Sequence, residues 1–303
     1  MVVRPRHGMF ELLFAVRGSV LPKVWGKLLL VAGTSVAAVA VERMHPAWFP
    51  SAVGIGPYSL IGIALSIFLG FRNAASHDRW WEARKNLGSL IVEARNLARV
   101  LLVTMPDGAS RRRCIRRISA FSYALRARLR GGCGLTAAAP WLPVAEAVAL
   151  REVPSAADAV LVHMTREIAA WAHEGYITDV QFSMLEQKLA NLAAIQAACE
   201  RIHSTPLPYA YTLLFQRTAW LYCLSLPFAL APSAGWGTPL ATTIIAYTFF
   251  GLDALICELE EPFGMEANDL PLDALIGVVD GAVLGAIGEV LPTPAAPRGH
   301  LLT

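Results

Sequence analysis

Apolar residues along this chain gather in long blocks rather than alternating, and four blocks approach the roughly 20 residues that cross a bilayer as a helix. The first is VWGKLLLVAGTSVAAVAV, residues 24–41, entered past Lys23 and Lys27. The second runs from about Phe49 to Phe71 through an opening that holds Gly54, Gly56 and Pro57. The third, LPYAYTLLFQRTAWLYCLSLPFALA at 207–231, is interrupted by Gln216 and Arg217, and the fourth spans about Trp236 to Leu255.

Between the second and third blocks the pattern becomes amphipathic. Leu87, Leu90, Ile91, Ala94, Leu97 and Val100 recur with a helical period. No proline lies between Leu60 and Pro106, so the second block predicts a helix that leaves apolar surroundings and continues as a charged one. Residues 111–130, RRRCIRRISAFSYALRARLR, predict a helix with a strongly basic face. A further helix starts from a Ser155 cap and stops at Gly175, and another starts from Thr178 or Asp179 and runs to the break at Pro206 and Pro208. No alternating apolar run predicts a strand, and no internal repeat is visible. The tail after Pro292 predicts disorder.

The expected fold is therefore all-α, with four transmembrane helices and a helical cytosolic region. Residues 1–71 hold an N-terminal arm and the first two spans, and 72–206 the cytosolic helices. Residues 207–257 hold the last two spans, and 258–303 an acidic elbow, a C-terminal helix and the tail.

Composition agrees. Of 303 residues 55% are hydrophobic and only 16% charged, against about 25% charged in soluble domains. The net charge is only +3, but 18 of the 26 Lys and Arg residues lie from Arg72 to Arg201. Sitting between apolar blocks, they read as topology signals, not as a nucleic-acid footprint. The 42–48 connection has one basic residue, Arg43, and the 232–238 connection has none, whereas Arg4, Arg6, Arg17 and Lys23 precede the first span. The positive-inside bias puts both termini and the middle region of this multi-pass membrane protein in the cytoplasm. The five cysteines show no paired spacing, which fits a reducing compartment. The basic start lacks an apolar core and a small-residue cleavage site, so no cleaved signal peptide is expected.

Several groups of residues bear on function. Ile63, Ile67 and Phe71 recur every fourth position at the end of the second span, which sets them on one helical face. Such a stripe serves either as a seam between helices or as an apolar constriction. RWWEAR, 79–84, reads as an interfacial anchor or as a lock between membrane and cytosolic helices. The acidic run ELEEPFGMEANDLPLD offers Glu258, Glu261, Glu266 and Asp269 as oxygen donors from a loop turning at Gly264, or forms a solvated elbow. Arg217, within a span, must face protein or water. His163 and Glu167 lack the second histidine of a zinc helix, and no nucleophile elbow or phosphate loop is present, so no enzyme is expected.

FLGFRNAASHDRWWEARK at 68–85, followed by EPFGMEANDLPLD at 261–273, resembles the bestrophin family, and its bacterial branch in particular. The likeness covers about residues 10 to 285. It implies a pentameric ion channel with one central pore, with Ile63, Ile67 and Phe71 as a narrow hydrophobic neck. Measured from the PYAYT element at 208–212, it implies a cytosolic aperture at Val180, with Gln181 or Ile177 if the register slips. Eukaryotic relatives hold calcium at positions that match Glu258, Glu261, Glu266 and Asp269, two of which replace family amides here. Calcium is accordingly not expected to be required. The resemblance implies a homopentamer, a lipid bilayer and small monovalent ions as partners. An expectation from another class is a membrane-anchored helical scaffold or signalling module without ion flux.

Overall fold

A computed structural model of the chain describes residues 18–49, 55–291, 293, 296, 297 and 302. The N-terminal Arg4, Arg6 and Arg17, the Gly54 opening and most of the tail after Pro292 lie outside the described residues. Ten α-helices are described, joined by turns and short 3₁₀ segments, with no strand among the described residues. They divide into two compact units, one of residues 4–80 and 206–261, the other mainly of 81–205 and 262–303.

The first unit is an apolar bundle. Its helices are α1 (Leu21–Met44), the first half of α2 (Gly56–Thr104), α8 (Tyr209–Ala234) and α9 (Thr238–Glu260). Apolar stretches long enough to cross a membrane lie in α1, in α2 and in the run of residues that ends at Glu260. A 3₁₀ turn at Gly235–Gly237 separates α8 from α9, and α1 packs on both. Phe215, Leu226, Phe250, Leu65 and Leu69 lie in one buried cluster. The Ser35 and Thr242 hydroxyls lie 2.7 Å apart between α1 and α9, and each also has a carbonyl of its own helix within reach, so both hydroxyl protons find an acceptor in this buried pair. At Gly62 a β-carbon would stand 2.7 Å from the Tyr222 hydroxyl, so only glycine lets α2 and α8 approach this closely.

The boundaries refine three expectations. Phe49 follows a 3₁₀ turn, Pro46–Trp48, and α2 starts at Gly56. The fourth apolar block ends at Leu255, but its helix continues to Glu260, because Ile256 keeps the buried period and Pro262 is the first residue that cannot extend it. Glu258, expected in a loop, is thus helical.

The second unit contains the rest of α2, α3 (Ala109–Leu129), the short α4 (Gly134–Ala138) and α5 (Val144–Ala149), then α6 (Ala156–His173), α7 (Asp179–Ser204) and α10 (Leu272–Ala286). Ser155 accepts the Asp158 amide as the cap of α6. Thr178 and Gln181 form a reciprocal capping box on α7. The basic face expected of residues 111–130 is only partly a solvent face. Helix α3 is packed on α6 and α10. Five arginines of this stretch form ion pairs with Glu146, Glu167, Asp273 or Glu289 of the same unit, while Arg112 and Arg128 stay exposed. Arg117, 3% exposed, binds Glu146 at 2.6 Å and Glu167 at 3.0 Å. Arg116 binds Glu289, and Arg126 and Arg130 bind Asp273. A buried guanidinium is tolerated only with such partners, and the partners come from elsewhere in the sequence.

Candidate functional site

Helix α2 presents two faces in the apolar bundle. Leu65, Leu69, Arg72 and Ser76 are buried. Ile63, Ile67 and Phe71 are 57%, 56% and 73% exposed. At 100° per residue the centres of these two sets are about 170° apart, so the ridge points directly away from the bundle core. The three side chains make a continuous apolar ridge about 12 Å long at 1.5 Å rise per residue. Exposed Gly70 and Ala64 flank it, Ser66 returns its hydroxyl proton to the Gly62 carbonyl, and none of the three ridge side chains carries a polar atom.

Directly behind the end of the ridge is a buried charge cluster. Arg72 donates through Nη1 to Asp253 at 2.5 Å and through Nε and Nη2 to Glu260 at 3.2 and 3.0 Å. Asp253 also accepts a hydrogen bond from the Gln216 amide of α8. Gln216, a polar interruption of the third apolar block, thus completes the cluster with its amide. Two turns further along α2, Arg79 Nε donates to the Glu260 carbonyl at 2.7 Å. The RWWEAR run therefore does lock helices together, at its first residue onto α9 and, in the other unit, at Glu82 onto Arg201 of α7. Arg217 is exposed. Asp253 was absent from the sequence expectations. Its signal was its position, an acid inside an otherwise apolar span, which calls for a named partner.

The aperture candidates separate by exposure. Val180, at the second position of α7, is 79% exposed, whereas Ile177 is 5% exposed and packed inward. Gln181 accepts the Thr178 backbone N–H in the capping box, which ties its side chain to the helix start. Gly175, with φ +78°, makes the left-handed turn that ends α6 and redirects the chain toward α7.

Of the four acidic candidates, the Glu258 and Asp269 carboxylates are engaged by groups of the protein itself. Glu258 is buried and receives the Lys23 ammonium at 3.0 Å. The Asp269 carboxylate accepts the Glu266 backbone N–H at 2.6 Å, and the Glu261 amide closes the end of α9 on the Glu258 carbonyl. Among the described residues no three His, Cys, Asp or Glu side chains are grouped to hold a metal ion. A cationic side chain already neutralises Glu258, one of the two buried carboxylates of this group.

The helical unit of α3 and α6 has a polar cleft of about 370 Å³ whose lining includes Ser110, Arg113, Arg117, His163, Arg166 and Glu167. Its charges are largely spent internally. Glu167 accepts from Arg113, Arg117 and Ser110. Burial alone would raise the Glu167 carboxyl, but these hydrogen bonds and charges outweigh it and hold the group below the usual carboxylate range.

The family model for bacterial and fungal bestrophin proteins matches residues 1–284. A protein of Mesorhizobium japonicum named a voltage-dependent anion channel-forming protein is 45% identical over 295 residues, covering 96% of this chain and 94% of that protein. One of the same description from Escherichia coli K12 is 38% identical, covering 99% of both. The crystal structure of a bacterial bestrophin homologue from Klebsiella pneumoniae superposes with a TM-score of 0.84 at 34% identity, covering 88% of this chain and 99% of that one. The chain belongs to the bacterial and fungal bestrophin family.

Proposed function

We propose that this chain is the subunit of a homopentameric ion channel of the bacterial inner membrane, with α1, the first half of α2, α8 and α9 as its four spans. The observation that carries the reading is the ridge of Ile63, Ile67 and Phe71, exposed on the face opposite the bundle core. Repeated around an axis, it forms stacked apolar rings in which an ion loses hydration without gaining ligands. The large exposed apolar side chains of the bundle, among them Trp25, Leu29, Leu221 and Leu240, suit contact with lipid and with further copies of the chain. Five-fold symmetry follows the family resemblance.

Val180 is the aperture residue in this reading, because it alone of the three candidates is exposed with an uncommitted side chain. The relatives named for forming anion channels support passage of small monovalent ions. An apolar neck carries no charge to select their sign, which falls to charges elsewhere along the pore. Calcium is not required. Both termini are cytoplasmic, by the charge bias of the loops.

Purified protein in liposomes under a salt gradient tests the proposal. Ion flux with a measurable reversal potential is expected, and its sign gives the selectivity. An intact oligomer that carries no flux would instead support a membrane-anchored scaffold.

A further inference from the structure

Phe71, the last residue of the ridge, is followed in sequence by Arg72, the centre of the buried charge cluster. The two are about 100° apart around the helix, so fixing one fixes the other. The apolar contacts of Leu65 and Leu69 are non-directional, and the close approach of Gly62 to Tyr222 fixes the rotation of α2 only toward its start. The bonds at Arg72 are directional. Its side chain is 3% exposed and is held from three directions, by Asp253, by Glu260 and by the Cys257 sulfur at 3.7 Å. Gln216 then holds Asp253 from a third helix. Rolling α2 by one residue would carry the guanidinium away from both carboxylates into apolar packing, where an unpaired charge is strongly disfavoured. Buried ionic groups are best attested in such register-setting roles.

We propose that Asp253, acting through Arg72, is a positioning residue of the channel: it sets the rotation of α2 about its axis and so the direction in which Ile67 and Phe71 point. This rests on the pore reading of that ridge. A purely structural role would move stability alone, so the test reads direction. In Ile67→Cys, thiolates from several copies converge if the residue faces the axis, and Cd²⁺, which prefers such soft ligands, blocks the current. The unsubstituted channel is the control and should not be blocked. The same replacement is made in the Arg72→Met/Asp253→Leu background, whose apolar pair preserves burial without the bonds. The expected result is an intact oligomer in which the Cd²⁺ affinity conferred by Ile67→Cys falls about tenfold or more, as loss of a converging ligand requires. Block should also appear in Ser66→Cys, one residue step around the helix.

Ile67→Cys in the otherwise native channel isolates the pore reading: absence of block there would remove the neck itself. Strong block of Ile67→Cys that survives unchanged in the double background would overturn the positioning role and leave the neck standing. Should the double variant fail to assemble, Asp253→Asn, which keeps shape and one acceptor, takes its place, with a several-fold loss of block expected. Failure of both to assemble would assign the cluster to stability and overturn the proposal.

Discussion

Arg72 and Asp253 form an ion pair at 2.5 Å with only 3% of either side chain exposed, between helices whose cores are otherwise hydrocarbon. Removing one partner leaves the other charged and buried. Arg72→Ala should therefore destabilise the protein by about 3–5 kcal/mol, whereas Arg72→Met/Asp253→Leu should cost far less. Thermal unfolding of the purified oligomer compares the two. Equal losses would show that the site depends on volume and not on charge.

The second unit offers a pH test. Asp280 is buried on α10, where it accepts from Ser119 and Tyr123 of α3. Burial raises its carboxyl, and the two hydrogen bonds offset this only in part. A carboxyl raised in the folded state contributes stability that is complete below the unfolded value, near 4, and is lost as pH rises through the folded one. Asp280→Asn should be less sensitive than the parent over that window, gaining relative melting temperature as pH rises. A parent and variant with parallel profiles would contradict this.

How much of this was legible beforehand differs by residue. Apolar block length and the missing proline between Leu60 and Pro106 gave α2 its continuity, because both are local properties. The ridge was legible for the same reason: four-residue spacing is a helical face whatever packs against it. The partners of Arg72 were not, since Asp253 and Glu260 lie 181 and 188 residues away and nothing local encodes that meeting. The basic run at 111–130 misled in the same way. Five of its arginines are neutralised by Glu146, Glu167, Asp273 and Glu289, and only the fold brings these together.

Val180 and Gln181 are neighbours with different duties, so substitution distinguishes them. Val180→Ala should widen the aperture and alter conductance or rectification with assembly intact. Gln181→Ala should loosen the capping box, a loss of about 1 kcal/mol in helix stability, with little effect on flux. The reverse outcome would shift the aperture by one residue.

Lys23 supplies Glu258 with a counter-charge at 3.0 Å, so chelation should leave melting temperature and flux unchanged. Lys23→Met should lower the melting temperature by a few degrees. If added calcium restores it, and Asp269→Ala abolishes the rescue, then the acidic elbow can accept the ion after all.

Ion flux per intact oligomer in Ile67→Ala separates a dewetted neck from a seam between helices. The middle ring of an apolar neck governs its dewetting, so trimming it should widen and wet the constriction. The expected result is a higher flux with the oligomer preserved. A seam between helices would behave in the opposite way, since truncation removes packing. A fall in flux accompanied by dissociation of the oligomer would contradict the neck and return the ridge to ordinary packing.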